Sequence, residues 1–271
     1  MGCCSSTTSS STVTSEAVNA LFDESGSRVC GKFKALRIRD MNHPDIERIV
    51  DVIAQAFCGT EKTAPDPTMD WVYTGSTENA GVPLKSPPSQ KRIAWFRWLA
   101  RASLDWGVRR DGVYALRDNA GDIVAVAVTA PPNSPPAHSM WEEIRLIFNV
   151  GLPPESDVTS GATGRMMTLE GKLESAKKEL TAGGNSYLHV GMLGCDPQKQ
   201  GQGLGSALLK LLCELADADR VDTYLDTVGK RNKEFYDRKG NFKVMTHVAV
   251  EQKGCTLDAE GGVAIMKRSP A

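Results

Sequence analysis

The segment of the chain with the clearest chemistry is a glycine-rich run, Gln200-Gly201-Gln202-Gly203-Leu204-Gly205-Ser206, that enters an amphipathic helix. The free N–H groups in the first turn of a helix and the positive end of its dipole favour a phosphate-sized anion. Glycine has no Cβ, so a pyrophosphate can approach the backbone closely at Gly201, Gly203 and Gly205. The run therefore predicts an anion site at the start of this helix.

The residues before the run narrow the choice of phosphate loop. Tyr187–Cys195 reads as a strand and Asp196-Pro197-Gln198-Lys199 as a turn. A P-loop needs Gly-Lys-Ser/Thr, and a Rossmann turn needs its first glycine directly after the strand, so neither pattern fits. Gln-x-x-Gly-x-Gly after a strand and an Asp-Pro turn resembles the coenzyme A pyrophosphate motif of the GNAT-type N-acetyltransferase superfamily. Gln200, Gly203 and Gly205 are the residues that carry this motif.

A second motif lies downstream, after the predicted strand 223–227. The stretch 232–242 is similar to the Asn-x-x-x-Tyr…Gly-Phe ending of the same superfamily. Asn232 and Tyr236 are four residues apart and share one helical face. The resemblance implies that Asn232 contacts the pantetheine arm and that Tyr236 is the acid beside the leaving sulfur. An additional Asn241 before Phe242 departs from the family pattern and predicts a small shift in how the next strand begins.

The resemblance covers about residues 33–268 and implies an α/β fold with a mixed, mostly antiparallel central sheet, helices on both faces and a splayed acetyl-CoA cleft. Acetyl-CoA is then the co-substrate, and no metal is expected. The implied cofactor-binding residues are Leu193, Gly194, Cys195, Gln200, Gly201, Gln202, Gly203, Leu204, Gly205, Ser206, Asn232 and Tyr236.

The reaction implied is direct attack by a primary amine on the thioester, through a tetrahedral intermediate. A backbone N–H near Leu193 steadies the oxyanion, and Tyr236 protonates the departing thiolate. His189 is the candidate base, because it occupies the position where arylalkylamine N-acetyltransferases carry a histidine in their base relay. The alternatives are that His189 is a wall residue, with the proton leaving through waters to Glu170 or Asp226.

Three further choices concern the acceptor and the mechanism. Cys195 has no matching Cys/His/Asp pattern in the sequence, which favours a small buried residue over an acyl-cysteine nucleophile. A small-molecule amine is preferred as the acceptor over a protein or peptide amine. The alternative from another class is a membrane-tethered acyl-CoA-binding or scaffold module without turnover.

Composition bounds the functions available to the chain. It has 271 residues, of which 41% are hydrophobic and 24% charged, with a formal net charge of -1. This profile is typical of a globular protein, and it lacks the basic face that nucleic-acid binding requires, so no nucleic-acid partner is expected. Seven scattered cysteines form no disulfide or metal pattern and predict a reducing compartment. The sequence shows neither a signal peptide nor a run of ~20 apolar residues.

The first residues carry a lipidation pattern. Met1-Gly2-Cys3-Cys4-Ser5-Ser6 fits myristoylation of Gly2, and Cys3 or Cys4 can take the palmitoyl group that makes such anchoring stable. We therefore expect the protein on the cytoplasmic side, anchored to a membrane surface, or otherwise in the cytoplasm. The alternative is a chance start to a Ser/Thr-rich arm.

The elements that position these residues follow from periodicity. Residues 1–31 are predicted to be a disordered arm and 32–271 an N-acetyltransferase domain, with a helical insertion at 130–186. Strand 33–38, helix 46–57, loop 58–88 and helix 89–107 precede a hairpin of 112–116 with 123–129, whose Val124, Val126 and Val128 are expected on one face. In the loop, Asp66-Pro67 with Trp71 looks like acceptor-loop sequence of some superfamily members.

Overall fold

A computed structural model describes residues 16–79, 81–134, 140–154, 161–184, 186–257 and 261–271. Its helices are α1 (Glu16–Asn19), α2 (Ile46–Cys58), α3 (Pro67–Thr74), α4 (Gln90–Val108), α5 (Met140–Val150), α6 (Ala162–Leu180), α7 (Leu204–Asp219) and α8 (Lys230–Gly240). Its strands are β1 (Ser27–Cys30), β2 (Phe33–Ile38), β3 (Val113–Arg117), β4 (Ile123–Ala130), β5 (Tyr187–Cys195), β6 (Asp222–Thr227), β7 (Lys243–Val248), β8 (Val250–Gln252), β9 (Cys255–Leu257) and β10 (Val263–Arg268).

Eight of the strands form one sheet in the order β1-β2-β3-β4-β5-β6-β10-β7. All neighbours in it are antiparallel except β5 and β6, which are parallel. A parallel pair needs a crossover, and α7 supplies it. The predicted mixed, mostly antiparallel fold is confirmed.

Both faces of the sheet are covered by helices. On one face, α2, α3, α4 and α6 bury aromatic and aliphatic side chains against the sheet, Trp71 and Trp95 among them. On the other face, α7 packs its leucines, with Leu208 and Leu212 fully buried. The apolar residues of α7 recur at helical spacing because one side of this helix must meet the sheet while the other meets water.

The sheet opens between its two parallel strands. β5 pairs with β6 only over residues 187–190, the last pair being Val190 with Leu225. β5 nevertheless continues to Cys195 along its other neighbour, β4. The backbone edge of β5 from Gly191 onward therefore faces no strand on the β6 side, and a cleft forms there.

The N-terminal boundary of the folded unit differs from the prediction. Residues 16–19 form α1, and β1 pairs with β2 in antiparallel register from Ser27 with Leu36 to Cys30 with Phe33. Val18 is 2% exposed, and Arg37 donates to Asn19 at 2.7 Å. The expectation of an unpacked arm through residue 31 is therefore wrong for 16–30, because apolar side chains of this stretch, such as Val18, pack on the sheet face that α7 covers.

Two further local expectations are corrected. The predicted loop 58–88 contains α3, which Asp66 caps by accepting from the Met69 N–H at 2.9 Å while Pro67 occupies the first turn. In β4, a register shift opposite Leu116 and Arg117 makes Val124 an extra residue. Val124 therefore packs on the α7 face, whereas Val126 and Val128 pack on the α2 face.

The lipidation pattern at Gly2, Cys3 and Cys4 lies outside the described residues. Within the described part of the chain, no helix is both long and apolar enough to cross a membrane.

The insertion between β4 and β5 consists of α5 and α6, as predicted, and α6 is fastened to α3. Arg165, 4% exposed, donates to the carbonyl oxygens of Val72 at 2.8 Å and Tyr73 at 2.9 Å. These carbonyls belong to the last turn of α3, where helical carbonyls lack intrahelical partners and the dipole favours a cation. Arg165 thus fixes the N-terminal end of α6 over the cleft.

Replacing Arg165 with methionine is expected to lower the free energy of unfolding by about 3 kcal/mol, because two charge-assisted hydrogen bonds are lost and two buried carbonyls lose their donor. Chemical denaturation of the protein without ligand measures this. Lys172→Met, at an exposed position of α6, is the matched control and should change stability by less than about 0.5 kcal/mol. Equal losses in the two variants would refute this role of Arg165.

Candidate active site

The cleft beside β5 has a volume of about 2060 Å³. Ordinary ligand pockets reach about 1,000 Å³, so this one has room for two substrates together. One wall consists of β5, the start of α7 and α8. The opposite wall consists of α4, α6 and the segment that leads into α3.

The glycine-rich run forms the start of α7 as predicted. Gly201 and Gly203 have φ of +79° and +82°, a conformation that L side chains rarely adopt. The first helical hydrogen bond runs from the N–H of Ala207 to the carbonyl of Gly203. The N–H groups of Leu204 and Gly205 therefore precede the helical ladder, and they lie where an anion in the cleft can accept from them.

Gly205 is required for packing rather than for backbone freedom. A Cβ at this position would lie 3.3 Å from the Phe235 ring and 3.6 Å from Cys195 Sγ. Its missing side chain thus lets α7 approach α8 and the end of β5. The sequence pattern predicts that all three glycines allow a pyrophosphate to approach the backbone. At Gly205, packing against Phe235 and Cys195 is an additional reason for glycine.

Replacing Gly203 with alanine is expected to weaken acetyl-CoA binding about tenfold, because the strained backbone turns the adjacent N–H groups away from the anion. Strain at a left-handed residue also costs about 1 kcal/mol of stability. Isothermal titration calorimetry checks the first effect. Gly121→Ala, at φ +90° in the β3–β4 turn, adds the same strain far from the cleft and should leave affinity unchanged. Equal affinities in the two variants would contradict this assignment.

The Asp-Pro turn before the run is held from two sides. Asp196, 4% exposed, caps a 3-10 helix (Pro197–Lys199) by accepting from Gln198 N–H at 2.8 Å and also accepts from Arg48 of α2. Lys199 pairs with Asp118 at 2.7 Å and Asp122 at 2.9 Å, both in the β3–β4 turn. The lysine is thereby tied to the hairpin, away from the cleft.

Tyr236 and Asn232 both line the cleft from α8. The Tyr236 ring packs edge-on against Phe235 and Phe242, at centroid distances of 5.2 and 6.0 Å. Its hydroxyl has no hydrogen-bond partner among the residues that the structure describes, and the oxygen is accessible to solvent. Burial, and then the nearby Asp66 carboxylate and Cys195, raise the pKa of Tyr236 well above its ordinary value, so the phenol stays protonated. Asn232 Nδ2 donates to the carbonyl of Val228 at 3.2 Å.

His189 lies on β5 at the end of its pairing with β6, opposite Tyr224. Its Nε2 is 3.0 Å from Asp226 Oδ2 and 3.1 Å from Lys177 Nζ. Burial, and then the Lys177 ammonium, lower the pKa of His189 against the opposing effect of Asp226. The imidazole is therefore neutral at pH 7, the state that a base requires.

Cys195 at the end of β5 is buried enough that the pKa of its thiol is raised to about 11. A thiol with so high a pKa is a poor nucleophile at neutral pH. The geometry therefore agrees with the interpretation that Cys195 is a small residue packed against Gly205.

Most of the predicted site residues lie together in the cleft. The lining includes Leu193, Gly194, Cys195, Gln200, Gly201, Gly203, Leu204, Gly205, Ser206, Asn232, Tyr236 and His189. Gln202 is exposed and does not line the cleft. Asn241, expected to shift the start of β7, is the αL cap of α8 at φ +57°, with its N–H bonded to the Asp237 carbonyl.

Two features of the site go beyond the sequence analysis. Asp66, which the sequence pattern places in an acceptor-loop segment, lines the cleft near Tyr236, and burial raises the pKa of this carboxyl. The Asp-Pro pair was a usable signal for a helix cap at the cleft, although it did not show that Tyr236 would lie nearby. Lys230 and Arg231, in the first turn of α8, also line the cleft and add positive charge to it.

Known proteins share both the segment and the fold. Residues 170–240 match the Acetyltransferase (GNAT) family. Arylalkylamine N-acetyltransferase 2 from Aedes aegypti is 14% identical, with a TM-score of 0.55, over 89% of this chain and 100% of that one. Drosophila melanogaster polyamine N-acetyltransferase, which forms N-acetylagmatine, is 18% identical, with a TM-score of 0.53, over 87% and 97%.

A protein from Corynebacterium glutamicum, described as histone acetyltransferase HPA2 and related acetyltransferase, is 20% identical, with a TM-score of 0.51, over 88% of this chain and 96% of that one. These likenesses show a common fold. The family match spans β5, the glycine-rich entrance, α7 and α8, so the segment of the chain that forms one wall of the cleft is similar to the GNAT acetyltransferases.

Proposed function

We propose that the protein transfers an acetyl group from acetyl-CoA to the primary amine of a small molecule by direct attack. The observation that carries the proposal is one cleft that holds four features: the open edge of β5, the start of α7, the Tyr236 hydroxyl and His189. The similar Aedes and Drosophila proteins are named for small amines, arylalkylamines and polyamines, which supports the acceptor class.

The residues of the cleft fit acetyl-CoA. The free N–H groups at Leu204 and Gly205 suit a pyrophosphate, and Lys230 and Arg231 add charge of the right sign. The open edge of β5 from Gly191 to Cys195 offers backbone donors and acceptors to a pantetheine arm. Acetyl-CoA supplies a thioester whose carbonyl carbon accepts the amine.

Each proton movement then has a residue. His189 takes a proton from the acceptor ammonium, so that the neutral amine can attack. An N–H on the open edge of β5, that of Leu193, donates to the oxygen that gains negative charge. Tyr236 gives its phenolic proton to the departing sulfur, and the attacking nitrogen, which is positively charged after attack, loses its second proton through solvent to the Tyr236 phenolate. His189 returns the first proton to solvent. The reaction thereby ends with an acetylated amine and a free thiol.

The acceptor side of the cleft favours a small amine with an apolar body. Its lining there is largely apolar: Trp98, Trp106, Met166, Leu169 and Leu173. Asp66 contributes a carboxyl group beside Tyr236 whose oxygen can accept a hydrogen bond from an ammonium group. Arg165 fastens α6 to α3, so α6 forms a fixed wall on this side of the cleft. A peptide amine is the second candidate and needs an open groove instead.

The test is release of free thiol from acetyl-CoA with arylalkylamines, polyamines, aminoglycosides and peptides in parallel. The proposal predicts release that depends on a small amine and saturates with it. Saturable release with peptides alone would move the assignment to a protein or peptide N-acetyltransferase. Tight binding of acetyl-CoA without release for any amine would support the binding-module alternative.

Membrane anchoring through Gly2 with Cys3 or Cys4 is a separate proposal, supported by the sequence pattern. The expected result is an N-terminal peptide from native protein whose mass includes a myristoyl group, with loss of that mass in Gly2→Ala. A native peptide that carries an unmodified Gly2 would refute the anchor.

A further inference from the structure

Besides the Arg165 contact with α3, the helix α6 makes a second contact near its C-terminal end, where Lys177 meets His189 and Asp226. Lys177 Nζ lies 3.0 Å from Asp226 Oδ2 and 3.1 Å from His189 Nε2, and the last two atoms are themselves 3.0 Å apart. The three side chains are between 12% and 19% exposed. An inserted helix thus places one ammonium against the pair formed by β5 and β6.

The charges in this triangle bear on which ring nitrogen of His189 carries the hydrogen. Although burial alone favours a protonated carboxyl, Lys177 and then His189 lower the pKa of Asp226 well below its ordinary value. Asp226 is therefore a carboxylate, and it accepts from His189 in the tautomer with the hydrogen on Nε2, in which Lys177 pairs with Asp226 and does not donate to the ring. His189 Nδ1 then carries the lone pair. This atom has no partner within the described part of the chain and is not sealed off, so it is open to the cleft.

We propose that Lys177 is a positioning residue, whose ammonium pairs with Asp226 beside His189 and so keeps the imidazole uncharged, with Nε2–H toward Asp226 and Nδ1 toward the acceptor amine. The inference rests on the proposed role of His189 as the base. Lys177 itself touches neither substrate in this role. It supplies the positive charge that balances Asp226. Without Lys177, a protonated imidazole of His189 would have to supply that charge.

The consequence of removing this ammonium follows from charge balance. Asp226 Oδ1 is buried without a hydrogen-bond partner among the described residues. The negative charge of Asp226 is therefore stabilised by the contacts of Oδ2 with Lys177 and His189. Without Lys177, His189 is the cation nearest to Asp226, and a second proton on the ring completes an ion pair. That proton occupies Nδ1 and blocks the base. The other titratable groups around His189 are Glu170, Glu174 and Lys178 on α6, Tyr187 on β5 and Tyr224 on β6.

The test is an NMR titration of the imidazole ¹⁵N and ¹³C signals in the full-length protein without substrates, with His189 assigned through His189→Gln. In wild type we expect the Nε2–H tautomer and a midpoint below about 6.5. Lys177→Met should raise the midpoint by roughly one pH unit. Lys172→Met, at an exposed position of α6 that does not line the cleft, should leave it unchanged, and His43 and His247 serve as internal references.

The expected activity readout is parallel. The acidic limb of the pH profile of kcat/KM should move upward with the midpoint in Lys177→Met, and Lys177→Arg should restore it. A midpoint that is unchanged or lowered in Lys177→Met overturns the inference, as does a wild-type Nδ1–H tautomer, which needs no variant to fold. The titration is read without turnover. Failure of Lys177 is therefore distinguishable from failure of the proposed function, which appears as wild-type protein without amine-dependent thiol release.

Discussion

Replacing Tyr236 with phenylalanine is expected to lower kcat for amine acetylation by about a hundredfold, because general-acid catalysis contributes on the order of 10²–10⁴. The phenol is the proposed proton donor, and its hydroxyl has no hydrogen-bond partner among the described residues. Its ring packing against Phe235 and Phe242 remains in the variant. The dissociation constant for acetyl-CoA should therefore change less than about twofold, which corresponds to about 0.4 kcal/mol.

The matched control is Tyr187→Phe, which removes a phenol from the same cleft, on β5 and in edge contact with Tyr224. It should retain kcat within about twofold, well inside the effect expected of an acid catalyst. Steady-state kinetics with calorimetric binding separates the two quantities. An unchanged kcat in Tyr236→Phe would remove the residue from the mechanism, and a loss of acetyl-CoA affinity equal to the loss of rate would make it a binding residue.

Replacing His189 with glutamine is expected to lower kcat/KM by about a hundredfold near neutral pH. In wild type, the base must be unprotonated, so activity falls as pH drops through the pKa of His189. Burial and Lys177 lower this pKa, which places the acidic limb of the profile below about 6.5. The variant should lose that limb, leaving a profile without a transition between about pH 5 and 7.

The control for His189 is Asp66→Asn, which alters an acidic group on the Tyr236 side of the cleft. Because the Asp66 carboxyl group can accept a hydrogen bond from the ammonium, the variant should raise KM for the amine while the acidic limb stays in place. The opposite pattern, with the limb kept in His189→Gln and lost in Asp66→Asn, would transfer the role of base to Asp66.

Local sequence patterns predicted the elements that carry the cleft. The strand over 33–38, the hairpin and the two helices of the insertion appear as expected, because alternation and helical spacing report directly on burial. The glycine-rich run likewise signals a turn and a helix entrance through positive φ at Gly201 and Gly203. Such features depend on neighbours within a few residues, so a sequence can show them.

Contacts between distant segments were beyond such patterns. Lys177, His189 and Asp226 come from three elements, and their approach depends on how α6 lies across the sheet. The extra residue in β4 at Val124 also has no local signal, because the bulge exists only relative to β3. In the sequence, Gly205 looks no different from Gly201 and Gly203. In the structure, a side chain at Gly205 would crowd the ring of Phe235.

Direct acetyl transfer in this cleft is tested most sharply by a single-turnover reaction with acetyl-CoA labelled with ¹³C in the acetyl group and the amine that gives the fastest thiol release. Mass spectrometry follows both the amine and the intact protein. Direct transfer predicts a labelled N-acetyl amine in the same amount as the thiol released, with no label on the protein at any time, because burial keeps Cys195 protonated. Labelled Cys195 that appears before the product, or thiol released without acetylated amine, would contradict this mechanism.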